Sequence, residues 1–254
     1  MARIENDTTR DPIPFVIIAG PRTGGTFLAH GLSNHPDIYC ERQEVIHVNS
    51  SYRMASAHLT PVNILDIVLG QNGYRSAGCK LQYSQAGYQH VWKHVRQRKA
   101  RIIHLTRDNK VRQAVSAIIN RKARAGEIEI HPQHSWALAK CPAVTIEPAV
   151  LMDEIAAIME PMKKWRERIA ESALECLSLT YEQIVGPGTV EAAAIAEPAA
   201  RRLCEFLRVD WAPMPVALRR INPWPIDRIV TNWPAIVAAL AGTDYGIMLK
   251  GGAA

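Results

Sequence analysis

No stretch of this sequence approaches the roughly 20 consecutive apolar residues that a bilayer crossing requires. The first eleven residues, Met1 to Asp11, mix both charge signs and lack the basic-then-apolar order of a secretion signal, so a cytoplasmic protein is expected. Cysteine is equally uninformative as a framework: the five residues Cys40, Cys79, Cys141, Cys176 and Cys204 stand singly, with no C-x-x-C pair, and read as core. Metal-ligand clusters are missing too. The nearest approach is His131 and His134, separated by Pro132 and without a carboxylate or thiol beside them, so no metal is expected. There is no repeat, low-complexity tract or linker, and 254 residues suit one α/β domain spanning 1–254.

What is present is ordinary globular composition, 48% hydrophobic and 21% charged. The net charge of +6 suggests an anionic ligand without choosing among nucleotides, acidic glycans and nucleic acids. The densest basic run, Lys93 to Arg101, alternates with apolar residues and reads as a solvated helix face rather than a nucleic-acid patch.

Hydrophobic period sets the fold class. Phe15 to Ala19 is a continuous apolar run ending at glycine, the pattern of a strand buried on both faces of a parallel sheet. A helix follows over Phe27 to Ser33, closed by Asn34-His35-Pro36. Further strands are expected at Ser76 to Leu81, Arg101 to Leu105 and Cys176 to Thr180. The spacing of Val111, Ala114, Val115, Ile118 and Ile119 predicts a helix from Lys110 to about Arg124. Leu151, Ile155, Ile158, Met162, Trp165 and Ile169 predict a long one from about Glu147 to Ala170, and a further helix starts at Pro198 and ends near Leu207. Strands alternating with helices imply a parallel sheet flanked by helices on both faces. The stretch Pro213 to Pro234 reads as the start of a terminal excursion, 213–254, that could act as a lid or substrate wall.

Between the first strand and its helix lies Gly20-Pro21-Arg22-Thr23-Gly24-Gly25-Thr26. It fits the P-loop pattern G-x-x-x-x-G-K-[ST] for six positions, then has Thr26 where the lysine should stand. Such a loop converges backbone N–H groups on an anion and aims a helix N-terminus at it. A nucleotide kinase needs the lysine and an acidic Mg²⁺ partner, and no apolar strand here ends in the lone Asp of a Walker B element. Farther on, Arg107 falls at the carboxyl end of a strand, where ligands of parallel sheets bind, and Ser116 lies on the next helix.

At this point the sequence resembles the 3′-phosphoadenosine 5′-phosphosulfate (PAPS)-dependent sulfotransferases. The similarity is greatest to the bacterial branch containing mycobacterial trehalose 2-sulfotransferase. The shared segments are Pro21 to Thr26, Glu41-Arg42-Gln43-Glu44, Gly78-Cys79-Lys80-Leu81, and Arg107 followed by Gln113 to Ser116, with looser echoes at Leu179 to Glu182 and Arg219 to Trp233. Asp108-Asn109 and Val45-Ile46 depart from the familiar pattern, the latter in a segment that in the family lines the acceptor side.

The resemblance implies a P-loop sulfotransferase fold, PAPS as donor, 3′,5′-adenosine bisphosphate (PAP) as product, and a hydroxyl acceptor that is a small molecule, carbohydrate or natural product. It further implies that Arg22, Thr23, Gly24, Gly25, Thr26 and Phe27 bind the phosphosulfate end of the donor, and that Arg107 and Ser116 hold its 3′-phosphate. Glu44 would be the general base, with Glu41 and then His47 behind it. Arg22 would stabilise the developing charge. Lys80 would face the sulfate or acceptor, unless it sits at a solvated strand end. Tyr181 reads as core, and Arg219-Arg220 as decoration of the terminal excursion. Relatives of this kind are often homodimers, although the chain carries no interface signal of its own. A nucleotide kinase, or a non-catalytic nucleotide- or nucleic-acid-binding protein, is the alternative.

Overall fold

The computed structural model describes residues 11–46, 58–128, 141, 143–186, 193–218 and 224–249. Strand β1 (Ile13–Ala19) is the centre of the molecule. Its alternate residues feed two different cores: Phe15, Ile17 and Ala19 point to one face of the sheet, Val16 and Ile18 to the other. That is why the run is apolar without interruption.

Four further strands complete a parallel sheet: β2 (Ile38–Glu41), β3 (Ser76–Gln82), β4 (Arg101–Thr106) and β5 (Cys176–Thr180). Their order is β2-β3-β1-β4-β5. Sequence expectation supplied four of the five. The one it missed, β2, is a four-residue edge strand with the half-buried pattern of Ile38 and Cys40 in, Tyr39 and Glu41 partly out, too short for a periodic signal. At Gly78 on β3 an added Cβ would lie 2.2 Å from the Phe15 carbonyl oxygen, so the close approach of β1 requires glycine there.

Helices cover both faces. Helix α1 (Gly25–Ser33) and, near the other edge, α7 (Tyr181–Val185) and α8 (Glu197–Leu207) pack on the face of Phe15 and Ile17. The opposite face takes α2 (Pro61–Leu69), α3 (Tyr83–Ala86) and α4 (Gln89–Gln97), together with Trp165 and Ile169 near the end of α6 (Pro148–Ala170). Helix α2 begins with a capping box in which Thr60 and Asn63 bond each other's backbone N–H, followed by a proline in the first turn. In the run Lys93 to Arg101 the helix basics are exposed, but Arg101 turns inward at the start of β4 and bonds the Phe206 carbonyl and Glu175.

A third core contains no strand residue. Helix α5 (Lys110–Arg124) buries Val111, Ala114, Val115, Ile118 and Ile119, and α6 buries Leu151, Ile155 and Ile158 against them. Val144 and Ile146 and the expected terminal excursion supply its other members: α9 (Ile226–Ile229), α10 (Trp233–Leu240) and α11 (Gly246–Leu249) follow in turn, and Ile226, Ile229, Ile236 and Leu240 pack into this core. A short clasp holds the segment. Val144 N–H donates to the Ile229 carbonyl (2.8 Å), Thr231 N–H to the Val144 carbonyl (2.9 Å), and the Asn232 amide exchanges two hydrogen bonds with the Ile146 backbone.

Two readings change. Only Cys40, Cys79 and Cys204 are buried; Cys176 opens the edge strand β5, whose alternate residues face outward, and Cys141 is half-buried. Val45 and Ile46 are buried among α2 and α3 residues and so do not line a ligand face. His131, His134, His47 and Arg219-Arg220 lie outside the described residues. Among those described, no group of three potential metal ligands forms, and no helix is long and apolar enough to cross a membrane.

Candidate active site

From β1 the chain crosses by α1 to one side of the sheet, and after β3 it passes over to the other side, to β4. The crevice beyond the carboxyl ends of these strands is where parallel sheets bind ligands. A cavity of about 460 Å³ opens there, within the size of small-molecule clefts.

The glycine loop forms its floor. Gly24 adopts φ +85 and caps α1, with Tyr181 so near that a Cβ would lie 2.5 Å from its ring. No side chain caps α1 and no acidic residue occupies its first turn, so its N–H groups remain available to an anion. Arg22 also adopts a left-handed backbone, φ 62, unusual for a side-chain-bearing residue and a form of strain that clusters at ligand sites. The loop is tied down from α5: Gln113 Nε2 donates to the Pro21 carbonyl (2.8 Å).

Arg22, Ser116 and Arg107 meet. Arg22 Nε donates to Ser116 Oγ (2.9 Å), and Arg107 Nη1 donates to the Arg22 carbonyl (3.3 Å). Arg22 is therefore turned toward α5, to the residue expected at the 3′-phosphate. The Arg107 guanidinium lies over the Tyr181 ring, 4.6 Å from its centroid. Its buried Nε is 3.9 Å from Glu182 Oε1, too far for a hydrogen bond, because that carboxylate accepts instead from the Asp108 and Asn109 backbone N–H groups. Burial above all pulls both guanidiniums down from their ordinary pKa; at Arg22 the neighbouring Arg124 adds to it.

On the other side of the loop stand Lys80 and Glu44. Lys80 is buried rather than at a solvated end. Its stem crosses Gly25, where a Cβ would come within 2.9 Å of Lys80 Cδ, and its Nζ donates to Thr26 Oγ1 (3.0 Å). A strand lysine thus reaches the very residue that replaces the P-loop lysine. Glu44 Oε1 lies 3.4 Å from Lys80 Nζ. Glu41 is absent from the cavity lining, and its carboxylate accepts from the Tyr39 hydroxyl and the Gln43 N–H.

Of the residues expected in the site, Arg22, Gly24, Gly25, Thr26, Phe27, Glu44, Lys80, Arg107 and Ser116 all line this one cavity. Thr23 does not: its hydroxyl turns back into the loop and donates to the Gly20 carbonyl (2.8 Å). The sequence reading overlooked Arg112, Asn120 and Arg124, which with Ser116 recur every fourth residue along one side of α5. Of the apolar wall, Leu218, Trp224, Ile226 and Ile229 come from the stretch expected to form a lid or substrate wall, whereas Val115 and Val185 were not expected there; Tyr181, read as core, packs against the core of the Phe15 face and also lines the cavity. Among the described residues the charged lining is five basic residues, Arg22, Lys80, Arg107, Arg112 and Arg124, and one acid, Glu44.

These features define a parallel α/β protein with a strongly basic cleft at a glycine loop. Comparison with family models gives the class more closely: residues 78–201 match the Stf0 sulphotransferase model. The match runs from β3 into α8 and supports a sulfotransferase. Among solved structures the chain is similar to a sulfotransferase from Alicyclobacillus acidocaldarius (19% identity, 90% of this chain and 94% of that one, TM-score 0.45). It is also similar to the sulfotransferase domain from the curacin biosynthetic pathway (15%, 94% and 83%, TM-score 0.45) and to mouse sulfotransferase SULT7A1 complexed with PAP (14%, 80% and 61%, TM-score 0.42). No curated protein sequence matches.

Proposed function

We propose that the protein transfers a sulfuryl group from PAPS to the hydroxyl of a small-molecule, carbohydrate or natural-product acceptor. The observation that carries this reading is the meeting, in one cavity, of an uncapped glycine loop, the Arg22–Ser116–Arg107 cluster, and the Lys80–Glu44 pair.

The residues fit a doubly anionic donor, because buried guanidiniums in excess of carboxylates gain most from charge-assisted contacts. Bound there, PAPS supplies an activated sulfuryl group on a phosphate leaving group. Arg107 and Ser116 hold the 3′-phosphate, while the N-terminus of α1, with Gly24, Gly25 and Thr26, binds the 5′ end. Phe27 offers an apolar ring to the nucleoside. Arg22 and Lys80 place positive charge against the negative charge that collects on the departing phosphate. Glu44 takes the acceptor proton as the acceptor oxygen bonds to sulfur and the sulfur–oxygen bond to the phosphate breaks. The threonine in place of the P-loop lysine argues against a Mg-nucleotide kinase.

Transfer of radiolabel from PAPS to a panel of simple sugars and alcohols, run with excess EDTA, tests this. Label transfer and stabilisation by PAP are expected, and a ligand at ~100 times its Kd should add about 2.7 kcal/mol. Stabilisation by Mg-ATP but not by PAP would defeat the reading.

A further inference from the structure

Glu44 is held by more than Lys80. Gln82, the last residue of β3, lies two positions beyond Lys80 and so on the same side of the strand. Its Nε2 donates to Glu44 Oε1. Gln85, one turn into α3 and buried, directs its Nε2 to Glu44 Oε2 at 3.4 Å. The Gln85 amide is itself fixed, because its Oε1 accepts from the Gln82 backbone N–H (2.9 Å). Each carboxylate oxygen therefore faces an amide donor from a single turn of chain, and Oε1 faces the Lys80 ammonium as well.

The chemistry of that arrangement is specific. A carboxylate held by Lys80 alone would be free to turn about that single contact. Neutral amides fix its direction without adding charge. Lys80 is meanwhile shared with Thr26 Oγ1. We infer that Gln82 and Gln85 are positioning residues that hold the Glu44 carboxylate at the cavity edge, in register with the glycine loop. The spacing Lys80, Gln82, Gln85 is the sequence mark of the device. The inference rests on the assignment of Glu44 as base.

The experiment compares Gln82→Leu, Gln85→Leu and Glu44→Gln with wild type in PAP binding by calorimetry and in kcat and KM for PAPS. Where the panel yields no acceptor, release of PAP from PAPS to water is the reaction followed. In both leucine variants PAP affinity and KM should stay within about twofold, and kcat should fall about ten- to a hundredfold. Should a leucine variant fail to fold, Gln82→Asn and Gln85→Asn, too short to reach Glu44 yet still polar, are expected to show the same loss of kcat. Unchanged kcat would overturn the inference, as would a loss of kcat matched by an equal loss of PAP binding. Wild-type turnover in Glu44→Gln marks a different failure, that of the base assignment itself.

Discussion

Gly25 is glycine because Lys80 lies across it, and that contact makes a residue-level test. In Gly25→Ala the new methyl would come 2.9 Å from Lys80 Cδ, so the lysine stem must move and its ammonium must leave Thr26. Because alanine suits a helix start at least as well as glycine, the fold should survive. Displacements of about 1 Å in a catalytic array cost about 10²-fold, so turnover should fall by that order while the melting temperature changes little. Gly242→Ala, with no atom within 4 Å of the added carbon, is the control and should behave as wild type. Arg107→Ala addresses the opposite end of the cavity. Loss of a charge-assisted contact of about 1.5–3 kcal/mol should weaken PAP binding about 10- to 200-fold. The loss must be selective: 5′-AMP, which lacks the 3′-phosphate, should bind nearly as before, and equal losses for both ligands would remove Arg107 from that role.

At the scale of elements, β4 carries a buried histidine with a pH signature. His104 bonds the Tyr83 hydroxyl (2.9 Å), and burial, helped by Arg166 and Lys110, lowers its pKa to about 4. The unfolded chain takes up this proton near pH 6.5, the folded protein only near pH 4. Between those values the unfolded state binds more protons, so stability falls as pH falls. At 1.36 kcal/mol per unit the full loss is about 3 kcal/mol. Unfolding free energies of wild type and His104→Gln, from urea titrations between pH 7 and 4, should draw apart by up to about 3 kcal/mol; parallel pH dependences would show that His104 is not responsible. Elements also explain what the sequence made legible. Helices α5 and α6 announced themselves because each repeats its apolar stripe over several turns, and β1 because both its faces are buried. Strand β2 did not, since four residues at a sheet edge carry no period. The glycine loop and Arg107 are local in sequence and were readable as ligand-binding features. The contacts of Gln82 and Gln85 with Glu44 and the Tyr181 stack arise only when separate segments meet, so the residue types were legible but not their partners; the wall was legible as a proline-rich stretch, but not which residues, Leu218, Trp224, Ile226 and Ile229, face the cavity. At Thr23 residue type and placement differ: the type suits an anion, while the hydroxyl closes the turn.

On the scale of the whole molecule, the cavity joins a floor built near the start of the sequence to a wall supplied near its end. The clasp between 144–146 and 229–232 fixes that wall. Asn232→Ala would leave the Ile146 N–H and carbonyl without their side-chain partner, at a cost of about 1–3 kcal/mol. The effect should be regional. Hydrogen exchange should accelerate in 226–240 and around 144–146 while β1 and β4 keep their protection; uniform acceleration would mean that the third core is not a separate unit of stability. A related consequence concerns time. Strand β1 leaves the ribosome before the strands it pairs with: Ile13 pairs with Ser76 and Phe15 with Arg101, so its two edges are matched only once β3 and then β4 have been synthesised. A nascent chain that stops before β4 offers other chains an apolar ribbon with open edges. Fragments ending near residue 95 should therefore aggregate, and the intact protein should refold slowly, with a yield that falls as its concentration rises.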